Sequence, residues 1–234
     1  MTSWIGTSGF QYPEWKGGFY PEKMPASGML KYYAERFSGT EINYTFRSLP
    51  SAATIARWLD ATPARFRFAL KAPQKVTHFA RLKNCGETLA AFQAAVAPLG
   101  EKLGPVLFQL PPNFAKDAAR LRAFLADLPS GLRAAFEFRH ESWFDDEVFA
   151  ALREHGAALC IAESEDLATP SIATADFGYL RLRREDYAKK DLTRWAKFVR
   201  EESSRWREAH IFFKHEETGS GPKFAQQLID LLHA

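Results

Sequence analysis

The stretch Val106–Arg139, VLFQLPPNFAKDAARLRAFLADLPSGLRAAFEFR, decides the fold. It opens on a short apolar run, Val106–Leu110, of the length expected for a buried strand. A helical pattern follows over Lys116–Leu128, where Leu121, Phe124, Leu125 and Leu128 fall at i, i+3, i+4 and i+7 and share one face. The chain then returns to a strand at Ala134–Arg139, with Phe136 and Phe138 on one side and Glu137 and Arg139 on the other. Strand, helix and strand in so short a span call for a parallel pair with the helix laid across it.

The same alternation extends in both directions. Further strands are expected at Trp4–Ser8, Thr40–Thr45, Phe66–Lys71, Ala158–Glu163, Gly178–Arg183 and His210–Lys214. Helices are expected at Gly28–Phe37, Ala52–Ala61, Glu87–Leu99, Glu147–His155, Asp191–Trp206 and Pro222–Leu232, with Pro98 ending or kinking the third before Gly100. Eight strands alternating with helices place the chain in the α/β class, as a single closed (β/α)8 TIM-like barrel over residues 1–234. An open doubly wound sheet is the alternative, but it usually carries a G-x-G-x-x-G turn, and Gly6-Thr7-Ser8-Gly9 does not have that spacing.

Composition narrows the class. In 234 residues there are 20 Phe, 6 Trp and 7 Tyr, enough apolar mass for a core, which excludes a disordered chain. No apolar run approaches the ~20 residues that cross a bilayer, so no membrane partner is expected. The start, Met1-Thr2-Ser3-Trp4-Ile5-Gly6, lacks the basic and apolar regions of a secretory signal. Cys85 and Cys160 are too few for a disulfide framework or a four-thiolate zinc site, and a reduced, cytoplasmic protein is the expectation. A net charge of +3 permits an anionic ligand without requiring one.

Strand parity carries the functional information, because successive side chains point to opposite faces. Glu41, Asn43 and Thr45 share a face, as do Arg67, Ala69 and Lys71, then Leu107 and Gln109, Glu137 and Arg139, Tyr179, Arg181 and Arg183, and Phe212, Lys214 and Glu216. A barrel lumen is ordinarily filled by branched apolar residues, so this many charges must pair or meet a ligand. Pairing would set Glu41, Glu137 and Glu163 against Arg67, Lys71, Arg139 and Arg181, with Arg67 and Glu41 low in the barrel as structural members. The members nearer the C-terminal strand ends stand where barrel enzymes hold their sites, and their cationic surplus favours an anion.

Other motifs are weighed against plainer roles. Thr218-Gly219-Ser220-Gly221-Pro222-Lys223 opens the last helix, where bare backbone amides and the helix dipole suit a phosphate; the plainer role is a Ser220 cap ahead of Pro222. Trp15, Tyr20, Trp143 and Phe144 lie beyond strand ends, where an aromatic stacks on a sugar or base or simply packs a loop. His78, His140, Glu163, His215 and Glu216 near strand ends suggest a metal, yet there is no H-E-x-x-H and the surrounding cations repel one. No bound metal is assigned, and only Mg2+ held loosely with a phosphate ligand is left open. Ser8 has no evident His/Asp partner for nucleophilic catalysis, and Asp191–Trp206 mixes both charge signs like a solvated helix face.

At these same residues the sequence resembles a known family. Gly6-Thr7-Ser8-Gly9-Phe10-Gln11-Tyr12 with Trp15-Lys16-Gly17 and Phe19-Tyr20-Pro21, Glu41-Ile42-Asn43-Tyr44-Thr45-Phe46 with Leu49-Pro50, Lys71-Ala72-Pro73 and Thr77-His78 are similar to motifs of the YecE-like proteins. So are Leu107-Phe108-Gln109-Leu110-Pro111-Pro112 and Ala135-Phe136-Glu137-Phe138-Arg139-His140 with Ser142-Trp143-Phe144. This is a domain of unknown function, numbered seventy-two among such families. The resemblance runs from about residue 4 to 145 and implies a TIM-like barrel, with no settled activity. Beyond it the chain departs: a frequent Arg-Leu-His-Gly is Arg181-Leu182-Arg183-Arg184, the usual aromatic-Asn-Asn is Phe213-Lys214-His215-Glu216, and an Asp after strand six is Glu163.

The residues and the resemblance together point to an enzyme acting on a phosphate-bearing substrate (nucleotide, nucleic acid or sugar phosphate) at the C-terminal mouth, with phosphate-ester hydrolysis the candidate reaction. Glu137, Lys71 and His215 are the candidate catalytic residues. Asn43, Gln109, Arg139, His140, Arg183 and Lys214 are the candidate substrate contacts, with Gly219, Ser220, Gly221, Trp15 and Trp143. The rival reading is a non-catalytic nucleotide- or nucleic-acid-binding protein using the same mouth, and a third is a barrel kept for interactions, its charges merely paired.

Overall fold

A computed structural model of the protein describes residues 1–164, 167–215 and 219–233. Eight strands run in chain order: β1 Thr2–Thr7, β2 Gly39–Ile42, β3 Arg67–Lys71, β4 Leu103–Gln109, β5 Ala134–Glu137, β6 Ala158–Glu163, β7 Phe177–Leu182 and β8 Glu208–Phe213. The helices are α1 Ala26–Ala34, α2 Ala52–Ala61, α3 Gly86–Val96, α4 Ala118–Ala126, α5 Asp146–Glu154, α6 Lys189–Glu201 and α7 Ser220–His233. All strand pairs are parallel, in the order β1-β8-β7-β6-β5-β4-β3-β2, and β1 lies along β8 from Thr2–Glu208 to Thr7–Phe213. The sheet curls into a nearly closed TIM-like barrel, as the alternation in the sequence requires.

Caps account for where the helices begin. α4 starts two residues later than its apolar period suggests because the Asp117 side chain accepts from Arg120 N at 3.0 Å. Ser51 caps α2 and Asp145 caps α5 in the same way. α3 stops at Val96 and gives way to a tight turn holding Pro98, with Gly100 at φ 54°.

Parity divides the core as expected. Phe68, Phe108 and Phe136 face the helices, where Phe136 stacks on Phe108 and both meet Phe124 of α4 edge-on. The lumen holds Ala69, Leu107, Ala135, Ala158, Cys160, Ala162, Tyr179 and Phe212. Its many small side chains leave the volume into which Tyr179 and Arg181 fit. Cys85 and Cys160 are free, buried thiols.

The β1–β2 seam closes differently from the rest of the barrel. Ile5 N donates to Ser38 Oγ at 2.9 Å, and Thr7 N donates to the Tyr33 hydroxyl at 2.6 Å. That hydroxyl, carried by α1, donates onward to Gly39 O at 3.1 Å. Only beyond it does backbone meet backbone, where Gly9 N donates to Glu41 O at 2.7 Å. Gly6 makes room for the splice, since a Cβ there would stand 2.0 Å from Gly39 O and 2.3 Å from the Tyr33 hydroxyl. Burial pushes the Tyr33 phenol up to about 12, which keeps its proton available to Gly39.

Tyr33→Phe removes one oxygen and leaves Thr7 N–H and Gly39 C=O buried without partners, which should cost about 1–3 kcal/mol for each. Urea unfolding should show the loss as a lower midpoint at unchanged slope. A change under about 0.5 kcal/mol, the range of ordinary surface substitutions, would mean that the seam closes without the hydroxyl.

Candidate functional site

The site grows from one buried arginine. Arg181, near the end of β7, is 1% exposed and projects into the lumen. Its Nε and Nη2 donate to the Glu41 carboxylate of β2 at 2.8–3.1 Å, and its Nη1 donates to Glu137 Oε2 of β5 at 2.7 Å. One guanidinium fork therefore joins two carboxylates on strands well apart around the barrel. Glu41 also accepts from the Ser8 hydroxyl and, at 2.7 Å, from the Tyr179 hydroxyl. Ser8 Oγ in turn accepts from Asn43 Nδ2 at 2.9 Å. On the other side Glu137 Oε1 accepts from Gln109 Nε2 at 2.9 Å and Arg139 Nε at 3.1 Å, and pairs with Arg183 Nη1 at 3.5 Å.

Burial, the largest single effect, would raise both carboxyl groups, but Arg181 and the other partners together more than reverse this. Glu41 lies below its ordinary value, helped by Ser8 and Tyr179. Glu137 falls to about 2, helped by Arg139, Arg183 and Gln109. A carboxylate held that low keeps no proton at neutral pH and is a weak base, so Glu137 is suited to anchoring its neighbours rather than to carrying protons.

Above this floor stand three cations. Arg139 and Arg183 keep 30% and 25% of their side chains exposed while gripping Glu137. Arg183 Nε is buried with no hydrogen-bond partner among the described residues. Lys71, at the end of β3, sets its Nζ 4.0 Å over the Phe46 ring, and that Nζ has no hydrogen bond or ion pair among the described residues. Burial first and Arg181 second push its amine down to about 8. His78 meets the same Phe46 ring edge-on at 5.0 Å and is shifted down by burial, Lys71, Arg139 and Arg81.

Asn43, Lys71, Gln109, Glu137, Arg139 and Arg183 are thus gathered at the strand C-termini. Thr45 is not: β2 ends at Ile42, and in the 3-10 turn that follows, the Thr45 hydroxyl donates to Lys71 O at 2.7 Å. Glu163 faces outward, held by Arg194 and by Trp195 Nε1 at 3.0 Å, both from α6, so it neutralises no lumen cation. Arg67 stays at the barrel base over the Trp4 ring.

Several expected site residues serve packing instead. His215 follows the outward parity of Phe213, bonds Arg184 O and is enclosed by Tyr187, Phe213 and Phe224, so it does not reach Glu137 or Lys71. Its ring is also shifted down by burial. Trp15, 1% exposed, is covered by Tyr12, Phe19 and Tyr20. Trp143 is fully buried, stacks on Phe138 and donates to Phe114 O at 2.6 Å. Neither indole offers a face to a ligand. His140 turns its Nδ1 to Ser142 N and caps a 3-10 turn. The glycines beside Ser220 have local reasons of their own: Gly219 has a φ of 65°, and a Cβ at Gly221 would press on Thr7 at 3.2 Å. Lys214 is half-buried just past β8. Glu216 and Thr218 lie outside the described residues.

From the sequence, Tyr179 is expected only as a lumen-facing neighbour of Arg181, His78 only as a metal candidate and Ser8 only as a rejected nucleophile, while Phe46 is given no role in the site. Tyr179 shared the lumen parity of Arg181, and Thr77-His78 stood among the quoted motifs, so both signals were present. Among the described residues, no three His, Cys, Asp or Glu side chains gather as a metal site, and no helix is long and apolar enough to cross a membrane.

Two grooves flank the mouth. One of about 770 Å3 is lined by Phe10, Tyr12, Asn43, Tyr44 and Trp58 among others, and shares Asn43 with the constellation. The other, about 500 Å3, runs past Phe46, Lys75 and Phe79.

The comparisons with known proteins agree with this architecture. UPF0759 protein YecE of Escherichia coli (strain K12) is 33% identical over 116 residues, 49% of this chain and 43% of that protein, so the chain spans less than half of that relative's length. UPF0759 protein YunF of Bacillus subtilis (strain 168) is 23% identical over 260 aligned positions, covering 91% of this chain and 89% of YunF. A crystal structure of a DUF72 family protein from Thermotoga maritima MSB8 superposes over the whole of both chains with a TM-score of 0.90 at 30% identity. The family model described as protein of unknown function DUF72 matches residues 4–234, and the chain belongs to that family.

Proposed function

We propose that the mouth binds a phosphate-bearing small molecule and acts on it. A charge count carries the reading. Four cations, Lys71, Arg139, Arg181 and Arg183, converge on two carboxylates, Glu41 and Glu137, a surplus of two. Arg181 and the carboxylates are fully buried and consume one another, so the uncompensated charge sits on the partly exposed Lys71, Arg139 and Arg183. A concentration of cations in a half-dry site is costly unless an anion joins it. A phosphate fits the demand, because two guanidinium forks address several of its oxygens at once. Glu137 fixes the forks in place, and Lys71, its amine lowered to about 8, is the group whose proton affinity suits chemistry near neutrality.

A second reading has its own observation. Tyr44 and Phe79, 52% and 72% exposed, stand beside the mouth in the flanking grooves. Exposed rings next to cations suit stacked bases, so a nucleotide or short single strand is the variant of the phosphate ligand that these rings favour.

Titration with inorganic phosphate and with a mononucleotide should detect binding to the wild-type protein. Arg183→Ala should weaken it by about 1.5–3 kcal/mol, roughly tenfold to a hundredfold, as expected for one charge-assisted contact. Equal affinities, or no binding by either protein, would end the reading. If the ligand is a nucleic acid strand, log affinity should fall linearly with log salt, and Tyr44→Ala should weaken it without altering the slope.

Glu137→Gln should leave Arg181 short of a buried counter-charge and destabilise the fold by about 3–5 kcal/mol in chemical denaturation. A stable variant that loses only turnover on a panel of phosphomonoesters and phosphodiesters would instead make Glu137 the proton carrier.

A further inference from the structure

We propose that Lys71 is a nucleophilic amine that condenses with the carbonyl group of a phosphorylated aldehyde or ketone held at the mouth. The inference rests on the phosphate reading above and narrows its substrate class.

A lysine placed only to attract an anion is best left solvated, whereas Lys71 is mostly withdrawn from water at the end of β3 with its Nζ against the face of Phe46. The carboxylates nearest in charge, Glu41 from β2 and Glu137 from β5, are both taken by Arg181 of β7, and neither pairs with Lys71. Arg139 follows β5, and with Arg181 it opposes a charge on the amine; His78 borders the same ring. Desolvation beside other cations is the arrangement that frees a lysine lone pair near neutral pH, and here it lowers the amine to about 8. Arg139 and Arg183 supply the second requirement, a grip on the phosphate that holds the carbonyl carbon near Nζ.

The step balances without a further reagent. The neutral amine adds its lone pair to the carbonyl carbon, and the amine proton passes to the former carbonyl oxygen. The carbinolamine nitrogen then gives up its remaining N–H proton to the departing hydroxyl, which leaves as water with the C–O bonding pair, while the nitrogen lone pair forms the C–N double bond. The products are an imine on Nζ and one water molecule. The Gln109 and Asn43 amides border the same mouth as polar partners for the departing hydroxyl.

The test uses the full chain and two probe aldehydes, pyridoxal 5′-phosphate and phosphate-free pyridoxal, each reduced with borohydride and located by peptide mass spectrometry. Lys71 should be the principal labelled lysine. Pyridoxal 5′-phosphate should label it at least tenfold faster than pyridoxal, inorganic phosphate should compete, and the rate should rise with pH through a midpoint near 8. Lys71→Arg, which retains the charge but not the nucleophile, should abolish the adduct while still binding inorganic phosphate. Labelling spread over the exposed lysines, or unchanged by phosphate, would overturn the inference. Phosphate binding with no Lys71 adduct would overturn it while leaving the phosphate reading intact. Absence of both would overturn the two together.

Discussion

Everything at the mouth depends on the guanidinium of Arg181, buried between Glu41 and Glu137. Three ionised groups taken fully out of water would oppose folding strongly if any one of them stood alone. They persist because each meets opposite charge and several partners: the arginine directs Nε and both terminal nitrogens to two carboxylates, and each carboxylate collects further donors from Ser8, Tyr179, Gln109 or Arg139. Small residues around the lumen make the space for it. Ala69, Ala135, Cys160 and Ala162 stand where a barrel ordinarily packs larger branched side chains. The lumen is therefore built around a charge network, and its apolar residues are sized to fit that network.

The network also bears on barrel closure. Glu41 is one of the residues at the β1–β2 seam: its carbonyl accepts from Gly9 N, and its side chain binds Ser8 and Arg181. Asn43 extends the link by donating to Ser8. The contacts that complete the seam beyond the Tyr33 splice are thus the contacts that place one wall of the mouth. Loosening the seam would shift Glu41, and with it the arginine that positions Glu137, Arg139 and Arg183. Stability and site geometry are coupled here through shared atoms rather than through distant packing.

Much of this was legible in the sequence, for a definable reason. A strand has a period of two, so Phe136 and Glu137, or Leu180 and Arg181, declare opposite faces without any knowledge of the fold. The same rule placed Lys71, Gln109 and Glu137 together, and it contained the correction for His215, which must oppose its neighbour Lys214. Parity fails where strands end early: Thr45 kept the phase of Glu41 on paper, but Ile42 ends the strand and the next turn rotates the side chain away. It says nothing about loops either. Trp15 and Trp143 read as exposed recognition rings, yet each is folded under neighbouring aromatics from its own and adjacent loops. The Tyr33 splice was out of reach, because a hydroxyl from a helix replaces a bond that the strand pattern assigns to backbone.

The way the network is satisfied explains why the site is left reactive. Carboxylates have a finite number of lone pairs, and Glu41 and Glu137 have already directed theirs to Arg181 and its companions. Arg139 and Arg183 reach Glu137 at its rim, sharing Oε1 with Gln109, and so remain only partly neutralised. Lys71 comes last in this order, and among the described residues its Nζ receives only the ring of Phe46. A fold that needed its lumen charges merely balanced would omit two of the four cations, since each one added raises the repulsion felt by the others. Keeping Arg139, Arg183 and Lys71 together makes sense when negative charge arrives from outside the chain, and the exposure that remains on the two arginines is the side from which it would enter.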